Sequence, residues 1–242
     1  MLKAYLYFFI INVTDLITTV KVRCKSMTVK MKVYSDFICP FCFLAKGPLD
    51  EVAKEKGVEI EWMPFELRPS PYSKIDPWNE PEKLGSWDAF ILPTAKKLGI
   101  DMRLPRVSPH PYTHLAFEGC QFAKERGLGN EYHHRVFTAF FQEEQNIEDI
   151  DVLTKLAVEV GLPEAEFKDA LVTRKYKEKH QEAIQHAYDE ANIMAVPTVM
   201  IGDEVIQGLA SKETLERVID KEIEKDKTNS FEGMQCNTDG YC

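Results

Sequence analysis

A pair of cysteines with two residues between them constrains this chain more than any other feature of its sequence. The pair stands in the segment SDFICPFCFLAKG as Cys39 and Cys42. The preceding residues, TVKMKVYS, alternate apolar and polar side chains and predict a strand from about Thr28. The residues that follow have helical apolar spacing up to Gly57. The two thiols therefore lie where a strand passes into a helix.

A second strand is predicted directly after that helix. The segment VEIEWMPFEL, which begins at Val58, alternates apolar residues with glutamates. The order strand, helix, strand predicts a right-handed parallel unit. Gly47 and Pro48 interrupt the helical pattern, and we expect a kink or a restart there because proline lacks an amide donor.

The rest of the pattern divides the chain into parts. The proline-rich segment RPSPYSKIDPWNEPEK excludes regular structure, and helical patterns follow at 86–99, 111–127, 130–142, 149–160 and 163–192. The segment VPTVMIGDEVIQG then predicts a hairpin, and Ser211 can cap a last helix. We predict an α/β fold with a large all-helical insertion. Its parts are an N-terminal extension (1–27), a sheet domain (28–75 and 193–226), a helical subdomain (76–192) and a cysteine-containing tail (227–242).

Charge is distributed unevenly along the chain. The formal net charge is −9, with +5 on residues 1–32 and −14 on the remainder. An acidic body argues against nucleic acid as a partner, because phosphate binding requires clustered Lys and Arg. The first 25 residues hold an apolar run that Asn12 and Asp15 interrupt. We predict an extension there and no stable membrane insertion, with a signal or anchor as the alternative.

The position of Cys39 favours a reactive thiolate. Unpaired amides and the macrodipole at a helix N-terminus stabilise the thiolate over the thiol. The first helical turn brings Cys42 within bonding distance, so a mixed disulfide at Cys39 can be resolved from within the protein. Pro40 suits this turn because it needs no donor there. The role requires a sulfur that is not sealed in the interior.

Two other interpretations of the pair stay open. The cysteines can be buried neighbours without chemistry, or two ligands of a zinc site completed by Cys236 and Cys242. The five residues between those two are unlike the usual zinc-knuckle spacing. We therefore predict no metal site.

The segment AVPTVMIG supplies a second indication. Val196 and Pro197 stand at the start of a predicted strand, where an X-Pro bond can be cis. A cis proline beside a dithiol leaves the backbone of the preceding residue free to pair with an extended substrate. An ordinary trans proline that opens a strand is the alternative.

Taken together, the segments SDFICPFCFLAKGPLD, WMPFELRP, HPYTHLAFEGCQFAKERG and AVPTVMIGDEVIQGLASKETL resemble the thioredoxin superfamily, and within it the FrnE-type dithiol-disulfide oxidoreductases of the DsbA branch. The resemblance covers about Lys30 to Lys225 and implies a thioredoxin-like fold. It implies Cys39 as the attacking thiolate, Cys42 as the resolving thiol and Pro197 as a cis proline. We also predict that no bound cofactor is needed, because the electrons come from or go to another thiol system.

The resemblance further implies a substrate groove beside the dithiol. Its predicted lining residues are Pro40, Phe41, Val196, Pro197 and His114. The family often carries Tyr, Ile and Gly where this chain has Phe43, Leu44 and Ala45, and Ala where it has Leu209. Phe41 replaces the histidine of DsbA proper, so we expect a less oxidising couple than the DsbA value of about −120 mV.

The other cysteines and histidines receive simpler interpretations. Cys236 and Cys242 form either a secondary redox pair that exchanges with the first pair or a surface pair in the tail. Cys120 is predicted to be a core residue. His133, His134, His180 and His186 are predicted to be packed or solvated. The charged segment TRKYKEKHQEAIQHAYDEAN is predicted to be the exposed face of a long helix.

These observations predict a thiol-disulfide oxidoreductase or isomerase. Its partners are a disulfide-containing protein or a low-molecular-weight thiol, together with a thiol reductant system. We predict the cytoplasm, where the thiol pool favours reduction or isomerisation, with export as the alternative if residues 1–25 act as a signal. The alternative function is a chaperone-like protein that binds unfolded chains and has a secondary redox role.

Overall fold

The structure of the chain, a computed structural model, describes residues 29–232 and the side chains of residues 29–228. A four-stranded sheet with the order β2-β1-β3-β4 forms one part of it. Strand β1 is parallel to β2 and antiparallel to β3, and β3 is antiparallel to β4. The strands are β1 (Lys30–Ser35), β2 (Glu59–Pro64), β3 (Thr198–Ile201) and β4 (Glu204–Gln207). The predicted strand-helix-strand unit and the hairpin are confirmed.

Helix α1 (Pro40–Lys56) connects the two parallel strands, and α9 (Lys212–Glu232) follows the hairpin. Both helices pack against the sheet through an apolar cluster that includes Met31 and Val33 of β1. Ser211 accepts a hydrogen bond from the Thr214 amide (3.3 Å), as the predicted cap requires. The sheet and these two helices therefore share one core.

The helical insertion forms a second, larger core. Its helices are α2 (Pro81–Ser86), α3 (Leu92–Lys97), α4 (His114–Lys124), α5 (Gly129–Phe141), α6 (Ile150–Glu159), α7 (Glu164–Val172) and α8 (Lys177–Gln185), with π-helical stretches at Trp87–Ile91 and His186–Glu190. Phe37 and Phe43, which flank the first cysteine pair, pack into this core. The ring centre of Phe37 lies 4.5 Å from that of Phe117, and the ring centre of Phe43 lies 5.1 Å from that of Phe141. The domain boundaries stay a prediction.

Four elements differ from the sequence-based expectation. Helix α2 begins at Pro81, inside the proline-rich segment predicted to exclude regular structure, because proline fits the first turn of a helix. Helix α1 continues through Pro48 without a restart, because apolar residues on both sides of the proline are buried. The predicted helix at 163–192 is two helices, because Arg174 adopts a left-handed backbone (φ 54°) between α7 and α8. Helix α9 extends to Glu232, beyond the predicted start of the tail at 227. Cys236 and Cys242 lie outside the described residues.

Among residues 29–232, no helix has both the length and the apolar character that a bilayer crossing requires.

Gly119 of α4 tests how closely the insertion is packed. A Cβ at this position would lie 2.6 Å from Tyr132 Oη and 2.9 Å from Phe167 Cζ. We expect Gly119→Ala to lower the free energy of unfolding by about 1–3 kcal/mol, since the core must move to accept the methyl group. Urea unfolding followed by far-UV circular dichroism measures the change.

The matched control is Gly85→Ala in α2, where a Cβ would meet no atom within 4 Å. Helix propensity predicts that this variant is stabilised by up to about 1 kcal/mol. Equal destabilisation of both variants would contradict the close packing of α4, α5 and α7.

Candidate active site

Cys39 is the residue that immediately precedes α1. It is the N-cap, with an extended backbone (φ −85°, ψ 113°), and Pro40 occupies the first turn. The Cys39 amide donates to the Asp36 carbonyl (3.0 Å), and its own carbonyl accepts from the Cys42 amide (3.1 Å). This turn places the sulfur at the positive end of the helix, as the sequence predicts.

The two cysteines differ in exposure. Both are free thiols. Cys39 is 4% exposed, whereas Cys42 is completely buried. Phe41, between them, is 38% exposed. Cys39 is thus more buried than the sequence-based mechanism requires, and it is the less buried residue of the pair.

Val196 lies directly beside the sulfur of Cys39. The Cys39 thiol donates to the Val196 carbonyl at 3.6 Å. The Val196–Pro197 bond is cis, so the predicted isomer is confirmed. Within the described part of the chain, the Val196 amide has no hydrogen-bond acceptor, and the Pro197 carbonyl accepts from the Gly208 amide at 2.8 Å. The fold therefore brings Cys39, Val196 and Pro197 together.

The buried Cys42 thiol resists ionisation. Burial is the main cause that raises its pKa well above the ordinary value, and a hydrogen bond with Cys39 and the charges of Cys39 and Asp36 act in the same direction. A backbone hydrogen bond from Asp36 opposes them. Cys42 therefore holds its proton until a nearby base accepts it.

Asp36 is a candidate for that base, and the sequence analysis does not identify it. The carboxyl is fully buried at the end of β1, and burial raises its pKa to about 7, with a further contribution from the charge of Glu66. It accepts hydrogen bonds from the Leu67 amide (2.6 Å) and the Ile38 amide (3.4 Å). An acid three residues before the pair, within an apolar segment, is the signal that could have revealed it.

A second buried acid lies close to Asp36. Glu66 Oε1 and His180 Nε2 are 2.6 Å apart, and their side chains are 7% and 3% exposed. The His180 ring stacks on Phe117, with the ring centres 5.5 Å apart. The packed role predicted for His180 is thereby confirmed, whereas the expectation that its charged segment only faces solvent is wrong.

His114 is the first residue of α4 and lines a cavity of about 590 Å³. Glu66, Glu118, Arg174 and His180 also line it, whereas Cys39 and Val196 do not. Burial lowers the pKa of His114, and the charge of Arg174 adds to the effect. The predicted substrate-binding histidine therefore lines a cavity that neither cysteine lines.

The other sequence-based interpretations have mixed outcomes. Cys120 is buried, and burial raises its pKa to about 12, which confirms the core role. His133 is also packed, with its ring 4.2 Å from that of Trp62. Among residues 29–232, no three His, Cys, Asp or Glu side chains are grouped to hold a metal ion. The proposed zinc partners Cys236 and Cys242 fall outside this range.

Comparison with known proteins assigns the fold. The family model of the DsbA-like thioredoxin domain matches residues 30–220. The uncharacterized protein YwbO of Bacillus subtilis (strain 168) is 58% identical over 199 residues, which are 82% of this chain and 100% of that protein.

Solved structures agree with this assignment at lower identity. The probable DsbA oxidoreductase SCO1869 of Streptomyces coelicolor has a TM-score of 0.70 at 18% identity, over 81% of this chain and 91% of that chain. The cytosolic disulfide reductase DsbM of Pseudomonas aeruginosa, solved with GSH, has a TM-score of 0.58 at 18% identity, over 83% and 98%. The predicted thioredoxin-like fold with a helical insertion is confirmed.

The raised pKa of Asp36 predicts a pH-dependent stability. The pKa rises from 3.8 to about 7 on folding, so ionising Asp36 costs folding free energy. The contribution of Asp36 to stability is therefore fully present below about pH 4, falls as the pH rises towards 7, and levels off above it. The full loss is on the order of 4 kcal/mol. We expect Asp36→Asn to lack this loss and to gain stability relative to wild type between pH 5 and pH 8, as measured by urea unfolding.

Asp88→Asn is the control, because Asp88 is exposed. It should follow the pH dependence of the wild type. A constant difference between wild type and Asp36→Asn across this pH range would contradict the assignment of a protonated carboxyl at position 36.

Proposed function

Because the chain belongs to the DsbA-like thioredoxin domain family, we propose that it is a thiol-disulfide oxidoreductase in which Cys39 attacks and Cys42 resolves. The unequal exposure of the two cysteines carries this assignment, since Cys39 retains 4% of its surface and Cys42 none. Cys39, the less buried of the two, is therefore proposed as the cysteine that meets an external disulfide. The FrnE-type subdivision stays a prediction.

The proposed reaction consists of two exchange steps. The Cys39 thiolate attacks one sulfur of the substrate disulfide, forms a mixed disulfide and expels the other sulfur as a thiolate. The Cys42 thiolate then attacks the Cys39 sulfur, which forms the Cys39–Cys42 disulfide and releases the second substrate thiolate. Two electrons pass from the dithiol to the substrate, and the reverse sequence oxidises a substrate dithiol.

Asp36 supplies the base for the second step. Its pKa of about 7 means that the carboxyl exchanges protons near neutrality, where a general base is most effective. The buried Cys42 thiol transfers its proton to this carboxylate as it attacks. Asp36 then returns the proton to solvent or to the departing thiolate.

The substrate is proposed to bind beside the Cys39 sulfur. The Val196 amide, which has no acceptor among the described residues, can pair with an extended chain. Pro40 and Pro197 are proposed to lie on either side of that chain. Phe41 is partly exposed. Two further apolar side chains are exposed close in sequence to this region: Met194 (83% exposed) precedes Val196, and Leu209 (36% exposed) follows Gly208. This surface suits an unfolded or extended segment that carries the disulfide. His114 is proposed to contact the more distant part of a bound substrate through the cavity.

The substrate class and compartment are proposals by analogy. DsbM is described as a cytosolic disulfide reductase and was solved with GSH, which supports a protein disulfide or a low-molecular-weight thiol as the substrate here. A cytoplasmic thiol pool would keep the dithiol reduced and favour reduction or isomerisation. Cys236 and Cys242 are retained as a proposed secondary redox pair.

The exposed apolar side chains also favour a second candidate, a chaperone-like protein that binds unfolded chains. Insulin reduction distinguishes the two functions. We expect Cys39→Ser to abolish turnover, because the nucleophile is lost, and Cys42→Ala to accumulate a mixed disulfide at Cys39 that mass spectrometry detects. Cys120→Ala is the control and should retain turnover.

The chaperone function would be favoured instead if the wild type showed no turnover and Cys39→Ser still suppressed insulin aggregation. The same protein preparation serves both measurements.

Phe41 predicts the redox potential. An aromatic ring cannot donate a hydrogen bond to a thiolate at Cys39, so the reduced form lacks that stabilisation. We expect a potential below the DsbA value of about −120 mV in a glutathione titration. Phe41→His should raise the potential by about 30 mV or more, the equivalent of one hydrogen bond to a charged group. A wild-type potential as high as that of DsbA would contradict this interpretation.

A further inference from the structure

The cavity beside His114 is a groove that follows one face of α8. Its lining residues recur every three or four positions along this helix and its π-helical continuation, as residues on one helix face do. They are Lys177, His180, Gln181, Ile184, Gln185 and Tyr188. At about 1.5 Å per residue, this lining extends for about 16 Å from the first residue to the last. An extended chain advances about 3.3 Å per residue, so the α8 groove has room for about five residues.

The rest of the groove is lined by α4, by Arg174 and by the loop that follows β2. Its two acids are already paired. Glu118 of α4 is fully buried and forms a bidentate ion pair with Arg174, with nitrogen–oxygen distances of 2.6–3.0 Å. Glu66 Oε1 lies 2.6 Å from His180 Nε2, and the charge of Arg174 also acts on Glu66. A ligand of the groove therefore has to be recognised by other charged groups.

Two charged side chains of the groove have no such partner. Among residues 29–228, neither Lys177 nor Asp189 forms an ion pair, and Nη1 of Arg174 has no hydrogen-bond acceptor. Lys177 and Arg174 lie at one end of the groove, and Asp189 lies at the other. The side-chain amides of Gln181 and Gln185 stand between these ends and are also without a partner in this range. The groove therefore offers a positive end, a negative end and amides that can pair with a peptide backbone.

The Tyr188 end of the α8 groove adjoins the residues around the dithiol. The Tyr188 ring packs on Phe65, with the ring centres 5.0 Å apart. Phe65 belongs to the apolar cluster against which Val196 packs, and the Val196 carbonyl accepts a hydrogen bond from the Cys39 thiol at 3.6 Å. Tyr188 also lines a second cavity of about 620 Å³, which shares Pro69 with the groove. A chain bound at Cys39 can therefore continue past Tyr188 into the groove.

We propose that the α8 groove binds an extended segment of a protein substrate and selects an acidic side chain at its far end, where Lys177 and Arg174 lie. This inference rests on the proposed function and names the substrate class as a protein disulfide. A thiol of tripeptide size spans only about 10 Å when extended, so it cannot reach from Cys39 along the groove to Lys177. Because the groove alone takes about five residues, the selected acid lies about five residues or more from the disulfide-bonded cysteine.

A charge reversal at the far end tests the α8 groove. Lys177→Glu replaces the unpaired cation by an anion and leaves the rest of the lining unchanged. Lys179→Glu is the matched control, because Lys179 is on the same helix but pairs with Glu125 at 3.2 Å and does not line the groove. Arg174 is retained in both variants, since its loss would leave a buried acid without its partner.

The experiment measures binding without exchange chemistry. Wild type and both variants are titrated into fluorescein-labelled peptides whose single cysteine is S-methylated, with Glu or Lys placed at successive positions away from it. Fluorescence anisotropy reports binding. We expect wild type to bind the Glu peptide about two- to fivefold more tightly than the Lys peptide once that position is about five residues or more from the cysteine. Lys177→Glu should prefer the Lys peptide there, whereas Lys179→Glu should follow the wild type.

The inference is overturned if wild type does not distinguish Glu from Lys at any position, or if Lys179→Glu reverses the preference as Lys177→Glu does. It is also overturned if glutathione disulfide displaces the peptide from wild type but not from Lys177→Glu, since the groove would then hold a small thiol.

The proposed function is tested separately with the same peptides carrying a disulfide at the cysteine. We expect wild type to reduce them with the same preference for Glu over Lys. Binding with this preference but without reduction would refute the oxidoreductase, and the groove would then serve the chaperone-like alternative.

Discussion

The packing of Phe37 and Phe43 into the helical insertion is the contact on which the rest of the structure depends. These residues flank the cysteine pair, and their rings contact Phe117 and Phe141 of the insertion. Cys42 is buried in the same cluster, and the adjacent Asp36 is also fully buried. The insertion therefore forms the apolar side of the site. The two cores meet near the start of α1, and together they set the environment of the two cysteines.

That burial explains why acids matter so much here. In an apolar surrounding, charges interact over longer distances than in water. Burial raises the pKa of Asp36 and of the Cys42 thiol, and the charge of Glu66 adds to the shift at Asp36. The Asp36 carboxyl accepts hydrogen bonds from the Leu67 and Ile38 amides, and Glu66 pairs with His180. An arrangement of this kind can tune a thiol without any cation next to the sulfur.

Local pattern was sufficient for much of the fold. The strand before Cys39, the parallel strand after α1, the hairpin at Gly202 and the cap at Ser211 follow from alternation, spacing and turn chemistry, and the structure has them all. Tertiary packing decided the rest. Helix α1 passes Pro48 because both of its halves are buried, and the break at Arg174 is a backbone conformation that no pattern in the charged segment indicates.

Of the candidate site, the sequence alone predicted only the two cysteines and the proline at position 197. Asp36 becomes important through burial by a segment far away in sequence, and Glu66 and His180 meet although 114 positions separate them. The small exposure of Cys39 has the same origin. Such contacts carry no local signature, because they depend on where the insertion folds back onto the sheet.

Helix α1 passes from one core to the other between Leu44 and Ala45, just before Pro48. Cys42, Phe43 and Leu44 pack with the insertion, whereas Leu49 and Val52 pack with the sheet. Pro48 lacks the amide that would bind the Leu44 carbonyl. The change from one core to the other therefore coincides with a missing backbone hydrogen bond in the helix. Each half of the helix has its own anchor. Substitutions in the insertion can therefore change the environment of the thiols while the packing of the C-terminal half of α1 holds the helix on the sheet.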